Sequence, residues 1–132
     1  MEESHIHTGR VGEDIAEKWL RKKGFKIIDR NYRKKWGEID IVARGTNKTH
    51  FVEVKTVSHE TKKALDTAVS HGTWRPEENV HDEKLRRLGR AIETWIVEHT
   101  LDGDWQIDVI TVRMVPDEKY AQVGYIENVI LE

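Results

Sequence analysis

Residues 37–55 decide how this chain folds: Gly37-Glu38-Ile39-Asp40-Ile41-Val42-Ala43, then Arg44 to His50, then Phe51-Val52-Glu53-Val54-Lys55. Both flanks are rich in β-branched residues, and Gly45 and Asn47 between them are turn formers, so the stretch reads as an antiparallel hairpin. Side chains alternate along a strand. Asp40 then shares a face with Glu38 and Val42, leaving Ile39, Ile41 and Ala43 on the other; Glu53 and Lys55 share a face with Phe51, opposite Val52 and Val54. A symmetric hairpin closing around Thr46-Asn47 sets Asp40 directly across from Glu53. Directly opposed residues have Cβ atoms about 5 Å apart. Two like charges so close need a cation. Lys55 is one, and a divalent metal ion, Mg²⁺ foremost, suits oxygen ligands from two strands. The alternative is a solvated edge hairpin with Asp40, Glu53 and Lys55 as ordinary surface charges.

Upstream, a helical pattern runs from about Thr8, a candidate N-cap, to Lys23, with Gly24 as its stop. Val11, Ile15 and Trp19 form one stripe, with Ala16 and Leu20 beside it. Glu13 lies on the side of Ala16 and Leu20, where a carboxylate is costly unless paired or coordinated; it also suits a first turn, where it complements the helix dipole. Phe25 to Arg30 reads as a strand and Asn31 to Trp36 as a basic turn or strand end. Downstream, Lys62 to Val69 suggests a short helix and His71 to Pro76 a loop. A long helix follows over about His81 to His99, with Leu85, Leu88, Ile92 and Ile96 on one face. Trp105 to Val112 and Val123 to Ile130 read as strands around a Pro116-Asp117-Glu118 turn, and Trp95 and Trp105 as core. The order αβββ(α)αββ is that of a mixed α/β sheet with helices packed on it.

The chain's 132 residues form one domain, residues 9–132, behind a short tail over 1–8. Five Trp argue against disorder. No apolar run is long enough for a membrane span, and Met1-Glu2-Glu3-Ser4-His5 has neither the basic nor the apolar region of a signal peptide. Zero Cys excludes disulfides, thiolate zinc sites and cysteine nucleophiles and makes the cytoplasm the expected setting. His5 and His7 lack partner ligands for a metal, and no Gly-rich phosphate loop precedes a helix. The net charge of −2 hides an asymmetry: residues 10–36 carry ten Lys/Arg against four Asp/Glu, and residues 101–132 carry two against seven. The basic third is either a local phosphate-binding surface or a solvated helix face with i,i+4 pairs.

Glu13, Asp40 and Glu53-Val54-Lys55 together resemble the metal-site pattern of the PD-(D/E)xK nuclease superfamily. Archaeal Holliday junction resolvases are similar in adding a first-helix Glu to the strand acids. A closer resemblance is to the bacterial YraN-like family of endonuclease-like proteins. It is carried by Gly9-Arg10-Val11-Gly12-Glu13-Asp14-Ile15-Ala16, Arg30-Asn31-Tyr32-Arg33, Gly37 to Ala43, Phe51 to Lys55, Pro76-Glu77-Glu78-Asn79-Val80, Lys84 with Arg87-Leu88, and Asp108-Val109-Ile110 with Val112, in that order. The chain departs from the family after the E-x-K, with Thr56-Val57-Ser58-His59 in place of an expected Arg, and with Trp74-Arg75 where Phe-Gly is expected.

The resemblance implies a restriction-endonuclease-like fold, a mixed central sheet flanked by helices, and metal-assisted phosphodiester hydrolysis. Asp40, Glu53 and the Val54 carbonyl would hold Mg²⁺, with Mn²⁺ as a substitute, and Glu13 would ligate directly, through water or through a second ion. Lys55, about 7 Å along the strand from Glu53, would orient the attacking water or offset charge on the phosphorane. Arg10, Arg30, Arg33, Lys34 and Lys35 would contact phosphates without reading sequence, and Lys84 and Arg87 would touch the scissile or an adjacent phosphate. Trp36 beside the basic cluster is either a stacking platform for an unpaired base or a packing residue. The implied partner is nucleic acid, DNA ahead of RNA, with no membrane and with a homodimer suited to a two-fold junction. The competing function is a non-catalytic nucleic-acid-binding module.

Overall fold

The computed structural model describes the backbone of residues 2–71 and 82–130 and the side chains of residues 9–67 and 83–130. The elements are α1 (Glu2–Lys22), β1 (Lys26–Lys34), β2 (Gly37–Arg44), β3 (Thr49–Ser58), α2 (Lys62–His71), α3 (Asp82–Glu98), β4 (Trp105–Val115), a 3₁₀ turn (Pro116–Glu118) and β5 (Tyr120–Ile126). The five strands form one sheet in sequence order. β3 and β4 are parallel, and the other neighbours are antiparallel. This is the expected mixed sheet flanked by helices, consistent with a restriction-endonuclease-like fold. None of the helices described is long and apolar enough to cross a membrane.

Each face of the sheet buries one amphipathic helix. Ala16 and Leu20 of α1 pack against Ile41, Ala43, Val52, Val54, Ile110, Val112 and Met114. Leu88, Ala91, Ile92 and Trp95 of α3 pack against Ile39, Val42, Phe51 and Ile107 on the other face. The central strands β3 and β4 are covered on both sides, as parallel strands usually are. α1 ends in a Schellman turn: Gly24 takes φ +97°, its N–H donates to the Arg21 carbonyl, and the Phe25 N–H donates to the Leu20 carbonyl.

Several boundaries differ from the sequence reading. α1 reaches back to Glu2, so Thr8 lies inside the helix rather than capping it; the apolar stripe starts only at Val11, and periodicity cannot register the turns before it. β1 continues to Lys34 because it pairs with β2 as far as Lys34↔Gly37, which leaves only Lys35-Trp36 to turn. β4 runs on to Val115, and β5 spans Tyr120–Ile126 rather than Val123 to Ile130. Trp105 is not core: it is 43% exposed, one face against Phe51 at 5.6 Å. The expected loop at His71 to Pro76, the Trp74-Arg75 departure, the family stretch Pro76 to Val80 and the helix start at His81 fall largely on residues 72–81, outside the described residues, as do the side chains of His5 and His7.

Besides a register shift in β1 between Ile27 and Asp29, the alternation of faces fails within β2. Ile41 and Ala43 face α1, but Ile39 sits with Val42 against α3, not with Ile41. The pattern flips across Asp40. Its counterpart between the Arg30↔Ile41 and Tyr32↔Ile39 pairs is Asn31, which holds a left-handed φ of +52°. A twist at Asn31 and Asp40 turns the outer end of the β1–β2 hairpin relative to the rest of the sheet, and that break builds the site.

Candidate metal and phosphate site

The β2–β3 register is the one the symmetric hairpin requires: Arg44 pairs with Thr49, Ala43 with His50, Val42 with Phe51 and Ile41 with Val52. The Gly45 N–H donates to the Lys48 carbonyl across the four-residue turn. Pairing stops one position further, at Asp40 and Glu53, where the strands part. The Val54 N–H, which has lost a backbone acceptor on β2, donates instead to Asp40 Oδ2 at 2.8 Å. A carboxylate thus replaces the ladder at its last rung.

Into this gap α1 enters from one face and α3 from the other. The result is a cavity of about 290 Å³ lined by Gly9, Glu13, Asp40, Val54, Lys55, Thr56 and Lys84. Glu53 is buried behind this lining, 2% exposed, with Oε1 2.5 Å from Lys84 Nζ. Asp40 lies close enough to Glu53, and Lys55 close enough to Lys84, for each to feel its neighbour's charge, so the four groups are electrostatically linked.

The electrostatics follow from crowding. Burial first, then the Glu53 charge, pushes Asp40 up to about 8, against the Val54 N–H bond that favours its ionised form. Burial lowers Lys55, and the neighbouring Lys84 lowers it further, more than Glu53 and Asp40 raise it. Burial is the largest single influence on Lys84 and works against its charge, but Glu53 foremost, with Lys55 and Asp40, together outweigh it, and its pKa lies above that of a free lysine. Burial is the largest cause for each of the three, so every charge in this cleft is costly to hold.

Glu13 lies beside Asp40 in the cavity wall, but its Oε1 is engaged by Arg30 Nη2 at 3.3 Å. Arg30 Nη1 also reaches Asp14 at 2.8 Å and Glu17 at 3.4 Å. Among the described residues no three acidic or histidine side chains stand as a ready-made metal cage. The residues that could hold a metal ion are the hard oxygen donors Asp40, Glu53 and Glu13, the kind Mg²⁺ takes, with Val54 also lining the cavity. The raised pKa of Asp40 marks a demand for positive charge.

Of the residues expected to act together, the fold unites Glu13, Asp40, Glu53, Val54, Lys55 and Lys84. It disperses the basic set. Arg33 pairs with Glu38 at 3.5 Å. Lys34 pairs with Glu98 at 3.2 Å, and Glu98 also accepts the Tyr32 hydroxyl. Glu98 and Lys84 sit at opposite ends of α3, about 21 Å apart at 1.5 Å per residue. Lys35 and Arg87 are exposed, as is Arg10, which follows the cavity residue Gly9. Trp36 is 43% exposed, its indole N–H fixed on Thr94 Oγ1 at 2.9 Å.

The sequence reading missed Gly9 and Thr56 as cavity walls, and it gave Lys84 a phosphate rather than Glu53. It also passed over a second polar cluster. Asp108, fully buried on β4, accepts from Gln106 at 2.8 Å, the Asn128 N–H at 3.0 Å and the Tyr125 hydroxyl at 2.5 Å, and lies 2.6 Å from His50 Nδ1. An aspartate inside the apolar run Ile107 to Val112 was the available signal.

A split sheet that gathers carboxylates and lysines between two helices places the chain among mixed α/β proteins of restriction-endonuclease-like architecture. The chain belongs to the family described as uncharacterised protein family UPF0102, the YraN-like family, whose profile matches residues 12–112. A UPF0102 protein of Syntrophotalea carbinolica is 42% identical over 119 residues, covering 89% of this chain and 88% of that protein. One from Thermotoga neapolitana is 36% identical over 103 residues, covering 78% and 84%. One from Campylobacter jejuni is 33% identical over 105 residues, covering 80% and 82%.

Proposed function

We propose that this chain is a metal-dependent endonuclease that hydrolyses phosphodiester bonds in DNA, branched or damaged structures foremost, in the cytoplasm. The observation that carries the reading is the Asp40–Glu53 contact at the parting of β2 and β3, with Lys55 and Lys84 beside it. Carboxylates crowded beside a cavity, one of them with a strongly raised pKa, are the arrangement by which a site that handles a cation or a reacting phosphate is recognised.

Asp40, Glu53 and the Val54 carbonyl would hold Mg²⁺ or Mn²⁺, with Glu13 completing the set. A bound metal ion polarises a phosphoryl oxygen and lowers the pKa of the attacking water. Lys55, partly buried and lowered in pKa, holds that water or meets charge on the pentacovalent phosphorus. Arg10 and Arg87 are exposed near the cavity and position the backbone of the substrate. The family resemblance adds a two-fold dimer suited to a junction.

One feature favours the binding-only alternative: Glu13, Asp40 and Glu53 each already hold a protein partner. The test is cleavage of labelled junction, flap, duplex and single-stranded DNA, and of RNA, with Mg²⁺ or Mn²⁺ and with chelator. Asp40→Asn and Lys55→Ala proteins run alongside. Cleavage lost in both variants and in chelator supports the nuclease. Salt-sensitive binding without cleavage on any substrate assigns the binding module instead.

A further inference from the structure

We infer that Lys84 is the built-in counter-cation of this site: it and a divalent metal ion compete for Glu53, and the metal ion's arrival releases Lys84 toward a substrate phosphate. The inference rests on reading Asp40 and Glu53 as metal ligands, and adds a role for α3 in loading them.

Three observations carry it. The Lys84 ammonium sits 2.5 Å from Glu53 Oε1, a short charge-assisted bond to a carboxylate whose side chain is only 3% exposed. That bond occupies an oxygen which a metal ion between Asp40 and Glu53 would need. Next, cations already stand on two of the carboxylates. Lys84 holds Glu53 and Arg30 holds Glu13, so a dication added with every partner in place would stand beside a bound ammonium in a half-enclosed cleft. Finally, Lys84 has somewhere to go. Its side chain is 40% exposed, on a flexible four-carbon stem that lines the cavity wall. The same ammonium thus serves a carboxylate before metal binding and a phosphate after it.

The experiment is Mn²⁺ binding to the full chain by isothermal titration, wild type against Lys84→Met, with no nucleic acid present. Removing a competitor held by one strong ion pair should tighten Mn²⁺ binding by about tenfold or more. Equal or weaker binding in a folded Lys84→Met protein overturns the inference. Should that variant fail to fold, the wild type answers directly. Its Lys84 side-chain ammonium, assigned by comparison with Lys84→Arg, should give a slowly exchanging ¹⁵N resonance in chelator that is lost on adding Mg²⁺. A resonance unchanged by saturating Mg²⁺ overturns the inference equally. The outcomes separate from those of the nuclease reading. Tightened Mn²⁺ binding without cleavage sinks only the nuclease, and cleavage with unaltered Mn²⁺ affinity sinks only the exchange at Lys84.

Discussion

Asp40 stands near Glu53 where β2 leaves β3, close enough to feel its charge, while Asp40 Oδ2 holds the Val54 N–H at 2.8 Å. Burial and then Glu53 raise Asp40 to about 8. A carboxyl whose folded pKa lies above its unfolded value stabilises the fold while protonated. That contribution is complete below about pH 4, the unfolded value, and is lost as pH climbs through the folded one. In chelator, the Tm of the wild type should therefore fall between about pH 4 and about pH 8. Asp40→Asn keeps an acceptor for the Val54 N–H and has no proton to lose, so its profile should be flatter over that window. Parallel profiles for the two proteins would contradict the raised pKa.

Gly37 marks a close approach of α3 to the sheet: a Cβ there would stand 1.8 Å from the Arg87 carbonyl oxygen. Backbone cannot swing aside as a side chain can, so α3 itself must move. Gly37→Ala should cost about 1–3 kcal/mol in urea unfolding. Arg87 is one turn from Lys84, so the same displacement should loosen the Lys84–Glu53 pair. A fully stable Gly37→Ala protein would mean that the hairpin yields instead of the helix.

What the sequence could reveal divides along physical lines. The hairpin register was legible because it follows from turn length and alternation alone, and Ile41↔Val52 confirms it. The Glu53 and Lys55 side of β3 was legible for the same reason. The flip at Asp40 was not. It depends on Asn31 adopting φ +52° on a neighbouring strand, and no periodicity within 37–43 encodes that. Nor was the pairing of Lys84 with Glu53, since it joins residues 31 positions apart through the packing of α3. Charge patterns were the least informative. Arg30, Arg33 and Lys34 read as one basic patch, yet each folds onto a different carboxylate partner.

Asp108 should matter to the fold and not to the chemistry. It is fully buried and gathers Gln106, Tyr125, the Asn128 backbone and His50 around two oxygens. Its presence holds the Tyr125 hydroxyl well above the usual tyrosine range, burial being the larger cause. Asp108→Ala would strand several buried polar groups at once and should cost about 3–5 kcal/mol. Asp108→Asn, which keeps one acceptor, should cost less. The folded fraction of either protein should bind Mn²⁺ as the wild type does, since Asp108 bonds to none of the cavity residues. Lost Mn²⁺ binding in folded Asp108→Asn would show the two clusters to be linked.

Arg30 separates a structural cation from a phosphate contact. Its guanidinium is only 26% exposed and ties β1 to three carboxylates of α1. A side chain so engaged has little left for a phosphate, whereas Arg10 and Lys35 are exposed. Each phosphate contact contributes about 0.9 to the slope of log affinity against log salt for duplex DNA. Arg10→Ala should therefore lower that slope by about one contact's worth, and Lys35→Ala should do so only if the substrate reaches the β1–β2 turn. Arg30→Ala should leave the slope alone and instead cost about 2 kcal/mol of stability, the scale of hydrogen bonds to charged groups. The outcome that would reverse this assignment is a reduced slope in Arg30→Ala with stability intact, for then Glu13, Asp14 and Glu17 would be releasing Arg30 to the nucleic acid on binding.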